Sequence, residues 1–158
     1  MVSLAIDTSS SYLSIAIVKD DITLYEKNVY SLKLHSVLLP GEIDRALQIT
    51  KEKIDRIFVA IGPGSFTGLR VGLSLVKGIA LGSGLPVTGV PTFDGLAYNI
   101  PQGDSLIIFM RYRMNMAYYG RYSSTNNRWI CERTGVSDIK NLTKLVDGEM
   151  VAVVKEHN

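Results

Sequence analysis

The sequence has few residues that can cross-link a chain or bind a metal. Its 158 residues include one cysteine, Cys131, and two histidines, His35 and His157. One cysteine excludes an internal disulfide and suits a reducing compartment. The two histidines are isolated, whereas a zinc site built on one element needs ligands at short spacing. No nucleophile elbow and no Ser/His/Asp arrangement is visible either. We therefore expect no metal site and no catalytic residue.

The sequence also lacks a strong charge imbalance and a long apolar run. Its net charge of +2 gives no argument for nucleic-acid binding by the whole surface. No apolar run approaches the roughly 20 residues of a membrane span, and the N-terminus lacks the basic region of a signal peptide. A hydrophobic content of 46% with 20% charged residues is globular and sufficient for one core or two small lobes. We expect a cytoplasmic protein without membrane contact.

Glycine is concentrated in the stretch around which the rest of the chain is organised. Ile57–Ile61 is an apolar, β-branched run that predicts a buried strand, and a turn at residues 62–65 follows it. Thr67 to about Gly82 predicts a helix, although each of its four glycines costs roughly 1 kcal/mol relative to alanine. Something must offset that cost.

This helix has two apolar faces, where a surface helix usually has one. The bulky face (Leu69, Leu73, Val76 and Ala80) suits the domain's own sheet, and a polar stripe consists of Arg70, Ser74 and Lys77. The second face is flat enough for another backbone to approach, and we predict that it forms an interface with another chain. The alternative is tight packing inside one domain, and the pattern alone does not choose between them. The predicted interface residues are Gly68, Val71, Gly72, Leu75, Gly78, Ile79 and Gly82.

The remaining pattern indicates a mixed α/β fold that is begun twice. In the first half we predict strands at 4–6, 12–18, 22–30 and 87–90, and helices at 34–46 and 92–98, with a short capped turn at 50–53. In the second half we predict strands at 106–110, 116–122, 129–133 and 150–154, and a helix at 137–146. The polar segment 101–104 is the predicted boundary, so the lobes are 1–100 and 104–158.

Two polar turns are candidates for a phosphate or anion site. One follows the first strand, and the other precedes the glycine-rich helix, where backbone N–H groups favour anions. Neither turn matches a known phosphate-binding motif, and strand-end capping, with Thr67 as the helix N-cap, explains the same residues. The candidate residues are Asp7, Thr8, Ser9, Gly64, Ser65 and Thr67.

Basic and aromatic residues are mixed along the strands of the second half. Such a mixture is compatible with RNA binding, but on alternating strands it is more often a solvent-exposed face. The residues are Arg111, Tyr112, Arg113, Tyr118, Tyr119, Arg121, Tyr122, Arg128, Trp129 and Arg133.

Three segments together resemble the bacterial TsaB (YeaZ) family: AIDTSSSYLSIAI, LHSVLLPGEID and AIGPGSFTGLRVGLSLVKGIALGSGLPVTGVPTFDGLA. The match is dense from Met1 to about Ala97 and weakens afterwards. Where the family has an Asp-Ala-Arg run, this chain has Arg111-Tyr112-Arg113 and retains only Arg113. Family members also extend well past the point where this sequence stops.

The resemblance implies an actin-like ATPase (ASKHA) fold with two RNase-H-like lobes, of which the second is incomplete here. It implies a non-catalytic scaffold subunit that binds a TsaD-like catalytic partner, joined by a TsaE-like ATPase, in forming threonylcarbamoyladenosine next to the tRNA anticodon. The His-x-x-x-His metal motif of the partner is absent after His35. Contact with tRNA would be indirect or weak. We expect no cofactor on this chain, with ATP binding possible only in the assembled complex. Family members pair with TsaD, or with themselves, through N-terminal-lobe helices, so the glycine face is the expected interface and a homodimer is expected in isolation.

Two alternatives stay open. One is a stand-alone metallopeptidase-like or ATP-hydrolysing enzyme, and the other is a homodimer with no catalytic partner. The sequence does not choose between homodimer and heterodimer, because one apolar face can serve both.

Overall fold

A computed structural model describes residues 1–31, 34–142, 146 and 150–154. The chain forms two compact units, Met1–Pro91 and Thr92–Asn158. Among the described residues, no helix combines the length and the apolar character needed to cross a membrane. The first unit consists of β1 (Val2–Asp7), β2 (Tyr12–Lys19), β3 (Ile22–Tyr30), α1 (His35–Thr50), β4 (Arg56–Gly62), α2 (Phe66–Ser83) and β5 (Val87–Pro91).

The first unit has a five-stranded mixed sheet in the order β3-β2-β1-β4-β5. Strands β1 to β3 form an antiparallel meander, and β4 and β5 are parallel to β1. Each parallel strand follows a helix, which supplies the crossover that parallel pairing requires.

The core of this unit lies on one face of the sheet. Side chains alternate along β1, so that Val2, Leu4 and Ile6 are buried while the residues between them are half-buried. Helices α1 and α2 contact each other and cover this face. The other buried apolar residues of this core are Leu13, Ile15, Ile17, Leu39, Ile43, Ala46, Ile54, Ile57, Val59 and Val76.

The second unit begins directly with a helix and has a four-stranded sheet in the order β8-β7-β6-β9. Strands β6, β7 and β8 form an antiparallel meander and β9 is parallel to β6, as β4 is to β1. The elements are α3 (Thr92–Tyr98), β6 (Ser105–Arg113), β7 (Met116–Thr125), β8 (Arg128–Asp138), α4 (Ile139–Leu142) and β9 (Met150–Val154).

Helix α3 closes the core of the second unit. Phe93 and Ala97 pack with Leu106, Ile108, Met110 and Tyr122. Gly120 leaves the space for this contact, because a Cβ at that position would lie 2.8 Å from the ring of Phe93. The Nε1 of Trp129 donates a hydrogen bond of 3.1 Å to the carbonyl oxygen of Ile100.

Most predicted elements are present, with differences at their ends. The helix predicted at 34–46 runs to Thr50, so the predicted turn at 50–53 is absent. The residues predicted as a helix at 137–146 include the end of β8 and the short α4, while 143–145 lie outside the described residues. The units divide at Pro91/Thr92 rather than at 101–104, because α3 buries its apolar residues in the second core.

Candidate interaction surface

The start of α2 is joined to the turn between β1 and β2. The backbone N–H of Ser65 donates a hydrogen bond of 2.6 Å to the carbonyl oxygen of Ser9. Ser65, not Thr67, is the N-cap, and its Oγ accepts a hydrogen bond of 3.2 Å from the backbone N–H of Gly68. A Cβ at Gly64 would collide with the carbonyl oxygen of Ser9, so this approach requires glycine.

The first two glycines of α2 face inward, which corrects the prediction that all four meet another chain. Gly68 and Gly72 are buried. A Cβ at Gly68 would collide with the carbonyl oxygen of Thr8, and one at Gly72 with the Oγ1 of Thr8. These glycines therefore serve the tight internal packing that the sequence left as the alternative.

The last two glycines of α2 have open surroundings. Apart from the backbone of the helix itself, no atom of the described residues lies within 4 Å of a Cβ built on Gly78 or Gly82, and both residues are exposed. Val71, Leu75 and Ile79 are half-buried beside them, at the margin of the first core. The part of the predicted interface that reaches the surface is thus Val71, Leu75, Gly78, Ile79 and Gly82, and its role stays a prediction.

An apolar groove of about 570 Å³ lies between α1 and α2. Leu4 and Ile57 of the sheet form its floor. Its walls are Pro40, Ile43 and Leu47 on one helix and Leu75 and Ile79 on the other, while Asp44 and Lys53 supply charges. Leu47, Leu75 and Ile79 are only half-buried, so apolar side chains at the margin of the first core reach the groove. Apolar concavities of this kind mark binding sites.

A second concavity of about 580 Å³ extends this groove toward the start of both helices. Pro40 and Leu75 line both concavities. Here the lining is more polar, because Ser36, Thr67, Arg70 and Ser74 contribute to it. The exposed stripe of Arg70, Ser74 and Lys77, predicted from the sequence, is confirmed. We call the groove, its extension and the adjoining Gly78 and Gly82 the α1–α2 surface.

Two large apolar side chains of α2 are exposed outside the groove. Leu81 is 88% exposed and Phe66 is 74% exposed. The guanidinium of Arg70 lies 5.3 Å from the centre of the Phe66 ring, within the range of a cation–π contact. The exposed side of α2 therefore offers apolar and cationic groups together.

The residues of the predicted anion site are brought together, but they contact one another. Asp7 Oδ1 accepts a hydrogen bond of 2.7 Å from the backbone N–H of Ser9. The carbonyl oxygens of Thr8 and Ser9 lie against the first turn of α2, where an anion would have to bind. The Oγ1 of Thr8 is buried without a hydrogen-bond partner and is directed at Gly72. Anion binding at this turn stays a prediction.

The part of the chain that the structure describes brings no three metal-ligating side chains together. His35 is buried at the start of α1, where its Nε2 lies 3.3 Å from the carbonyl oxygen of Tyr12. His157 lies outside the described residues. The absence of a bound metal stays a prediction.

Sequence comparisons identify the family. Residues 29–150 match the family profile TsaD, described as tRNA N6-adenosine threonylcarbamoyltransferase. The chain is 36% identical over 131 residues to the tRNA threonylcarbamoyladenosine biosynthesis protein TsaB of Bacillus subtilis. The chain belongs to the TsaB (YeaZ) family. The match covers 80% of the chain but 57% of the Bacillus protein, so this TsaB-family chain spans little more than half of that relative.

Solved structures confirm the fold of this TsaB-family chain. YeaZ from Pseudomonas aeruginosa superposes with a TM-score of 0.77 at 24% identity, covering 87% of the chain and 67% of YeaZ. A second structure, described as an uncharacterized protein with similarity to peptidase YEAZ from Pseudomonas aeruginosa, gives a TM-score of 0.82 at 20% identity. The superposition covers 99% of the present chain and 84% of that protein. The predicted α/β class is confirmed, and the second sheet has four strands where the first has five. The actin-like ATPase (ASKHA) type stays a prediction.

The sequence prediction missed the half of the groove that α1 supplies. Pro40, Ile43 and Leu47 line it, yet the predicted interface consisted of α2 residues alone. A signal was present, because Ile43 and Leu47 lie on the apolar face of α1. An apolar face that includes an exposed proline indicates that part of it is not covered by the protein's own sheet.

Proposed function

We propose that this TsaB-family chain is a non-catalytic scaffold subunit in the formation of threonylcarbamoyladenosine on tRNA. In this proposal it binds a TsaD-like catalytic partner through the α1–α2 surface, and a TsaE-like ATPase joins the assembly. The relatives supply the pathway, since they are named for tRNA threonylcarbamoyladenosine biosynthesis. We also propose that the chain acts in the cytoplasm.

The observation that carries the proposal is the groove between α1 and α2. It is lined by half-buried side chains at the edge of the first core, between two helices that contact each other. Covering apolar surface is worth about 25 cal/mol per Å², so an uncovered groove favours association. The open backbone at Gly78 and Gly82 allows a partner helix to approach α2 closely, as small residues do in other helix pairs.

Charge supports a protein partner at this surface. The exposed residues Arg70 and Lys77 lie along α2, and Asp44 lies on the α1 wall of the groove. A surface with an apolar centre and charged margins is typical of protein interfaces. The homodimer is an alternative occupant of the same surface, and the experiment below distinguishes the two.

The test is co-expression with the TsaD-like chain of the same organism, using Gly78→Leu as the blocking variant. Leucine adds a side chain at the surface without an internal collision and raises helix propensity by roughly 0.5–1 kcal/mol. If the leucine side chain prevents roughly 100 Å² of apolar surface from being buried between the two proteins, association weakens by about 2.5 kcal/mol, which is more than tenfold in Kd.

The matched control is Gly41→Leu. Gly41 is an exposed helical glycine of α1 that has no atom within 4 Å of its Cβ position and does not line the groove. We expect it to leave association unchanged. Equal effects of the two variants, or a wild-type chain that fails to bind the TsaD-like chain, would contradict the proposal. Self-association that Gly78→Leu abolishes, without any partner binding, would establish the homodimer instead.

A further inference from the structure

The end of the β6–β7 hairpin presents a basic and aromatic tip. It consists of Arg111, Tyr112, Arg113 and Met114, all of which are exposed. Tyr112 is 41% exposed, although it is a large aromatic residue on a strand. The register between the strands shifts between Arg111 and Arg113, so the hairpin carries an irregularity at this tyrosine. Such irregularities redirect side chains at strand ends.

Tyr112 of the tip contacts two other side chains, one on the neighbouring strand β7 and one within the tip. The rings of Tyr112 and Tyr118 have their centres 4.6 Å apart, with 49° between their planes. The guanidinium of Arg113 lies 5.0 Å from the centre of the Tyr112 ring. Tyr112 thus contacts a neighbouring ring and a cation while 41% of it stays exposed, and these contacts limit the rotamer freedom that it would lose on binding a ligand.

Within the part of the chain that the structure describes, the arginines of the tip form no ion pair. Among the described residues, no carboxylate lies within 4 Å of the guanidinium of Arg111 or Arg113. The acidic residue nearest in register is Asp138, opposite Met116, and its Oδ1 accepts a hydrogen bond of 2.8 Å from the backbone N–H of Lys140. Elsewhere on the same sheet, Arg121 does face a carboxylate, that of Glu132 at 3.8 Å.

We propose that this hairpin tip binds a single-stranded segment of RNA, with a base stacked on Tyr112 and phosphates held by Arg111 and Arg113. An aromatic platform beside cations is the chemistry of single-strand binding, because every base has a stacking face and every nucleotide a phosphate. Guanidinium groups match phosphate geometry particularly well. The inference rests on the proposed function, which supplies an RNA, and it assigns to this chain a direct contact with that RNA.

The test is fluorescence anisotropy with a labelled, unstructured RNA of about 12 nucleotides, a length within the footprint of single-strand binders. We expect Tyr112→Ala to weaken binding by about 5- to 150-fold, the range of one lost base stack, and Tyr112→Phe to retain it. Arg111→Glu should weaken binding and also reduce the salt slope by about 0.7 for one lost phosphate contact.

The matched control is Arg128→Glu, which makes the same charge change at the start of β8, where the β7–β8 turn precedes it. If Arg128→Glu weakens binding as much as Arg111→Glu, the RNA responds to general charge and the inference fails. It also fails if the wild-type chain does not bind the RNA, or binds an acidic peptide of equal charge as tightly. Thermal melting checks each variant's fold, and Arg111→Glu carries the test if Tyr112→Ala unfolds.

Binding of the TsaD-like chain separates this inference from the proposed function. We expect Tyr112→Ala and Arg111→Glu to co-purify with that partner as the wild type does, because neither residue lies on the α1–α2 surface. Partner binding without RNA binding by the wild type rejects the hairpin site alone. RNA binding without partner binding rejects the scaffold role and leaves the hairpin site standing.

Discussion

The hydroxyl of Tyr122 donates a hydrogen bond of 2.7 Å to Oδ1 of Asp94. This contact joins the middle of β7 to the first turn of α3, so the helix is fixed to its sheet by a polar contact as well as by Phe93 and Ala97. Burial, together with the hydrogen bond to Asp94, raises the pKa of Tyr122 well above the ordinary tyrosine value of 10.0.

The stability of the chain should decrease above about pH 10, and Tyr122→Phe should reduce that decrease. Because the pKa is raised in the folded state, Tyr122 stays protonated there while the unfolded chain loses the proton. The unfolded state then binds fewer protons, and stability falls as pH rises. Urea unfolding near pH 9 and pH 11 measures this. Tyr98→Phe, at a tyrosine that is 88% exposed, is the control, and equal pH dependence in both variants would contradict the prediction.

Gly72→Ala should destabilise the first unit, whereas Gly78→Ala should stabilise it. The new Cβ at residue 72 would collide with the side chain of Thr8, and overpacking of this kind costs about 1–3 kcal/mol. The Cβ at residue 78 meets nothing within 4 Å, so the gain in helix propensity of roughly 0.5–1 kcal/mol remains. Thermal denaturation of the two variants should give melting temperatures on opposite sides of the wild type.

Ser65→Ala should lower the free energy of unfolding by about 0.5–2 kcal/mol, the usual effect of losing an N-cap. The reason is that Ser65 Oγ accepts the hydrogen bond of the backbone N–H of Gly68. Ser74→Ala removes a serine from the exposed middle of the same helix and serves as the control. Chemical denaturation of both variants checks the prediction. Equal losses in the free energy of unfolding would contradict it.

The isolated chain should bind ATP more weakly than the micromolar range, which corresponds to about −8 kcal/mol. The carbonyl oxygens of Thr8 and Ser9 face the N-terminal turn of α2, and the hydrogen bond from Ser65 to Ser9 uses an N–H that a phosphate would need. Isothermal titration calorimetry with ATP measures the affinity. Tighter binding would mean that a nucleotide site is formed without a partner.

The chain purified without chelators should contain far less than one zinc or iron per molecule. His35 is buried against Tyr12, and its ring is therefore poorly placed to ligate a metal at the surface. Elemental analysis by mass spectrometry tests this expectation. A near-stoichiometric metal content would show that residues outside the described part of the chain, or a second copy, supply ligands.

The sequence predicted the helices and strands of this fold better than it predicted which residues pack against them. The strand at Ile22–Tyr30 and the helix at Thr92–Tyr98 agree with the structure at both ends. The periodicity of α2 also identified its exposed stripe. Periodicity gives the angle of a residue around the helix axis, however, and not what lies opposite. Thr8 meets Gly72 although 63 intervening residues separate them, so no local pattern could assign that glycine to the interior.

The candidate surface was predictable in part for the same reason. Leu75 and Ile79 were identified because the helical periodicity of α2 places them on the same face as its glycines. The α1 side of the groove arises from the spacing of two helices on one sheet, which depends on side chains from both and on the strands beneath. Pro40 illustrates this, because its place in the groove follows from tertiary packing rather than from helix propensity.

The order of the strands and helices of the first unit along the chain determines when its apolar core can form during synthesis. The meander β1–β3 is completed at Tyr30, whereas the helices that cover its apolar face end at Thr50 and Ser83. A ribosome adds about 5–20 residues per second, so the roughly 50 residues between these points take several seconds to appear. During that interval Leu13, Ile15 and Ile17 remain uncovered on the nascent chain. We therefore expect the apolar face of this meander to become protected on the nascent chain only after α1 and α2 have been synthesised.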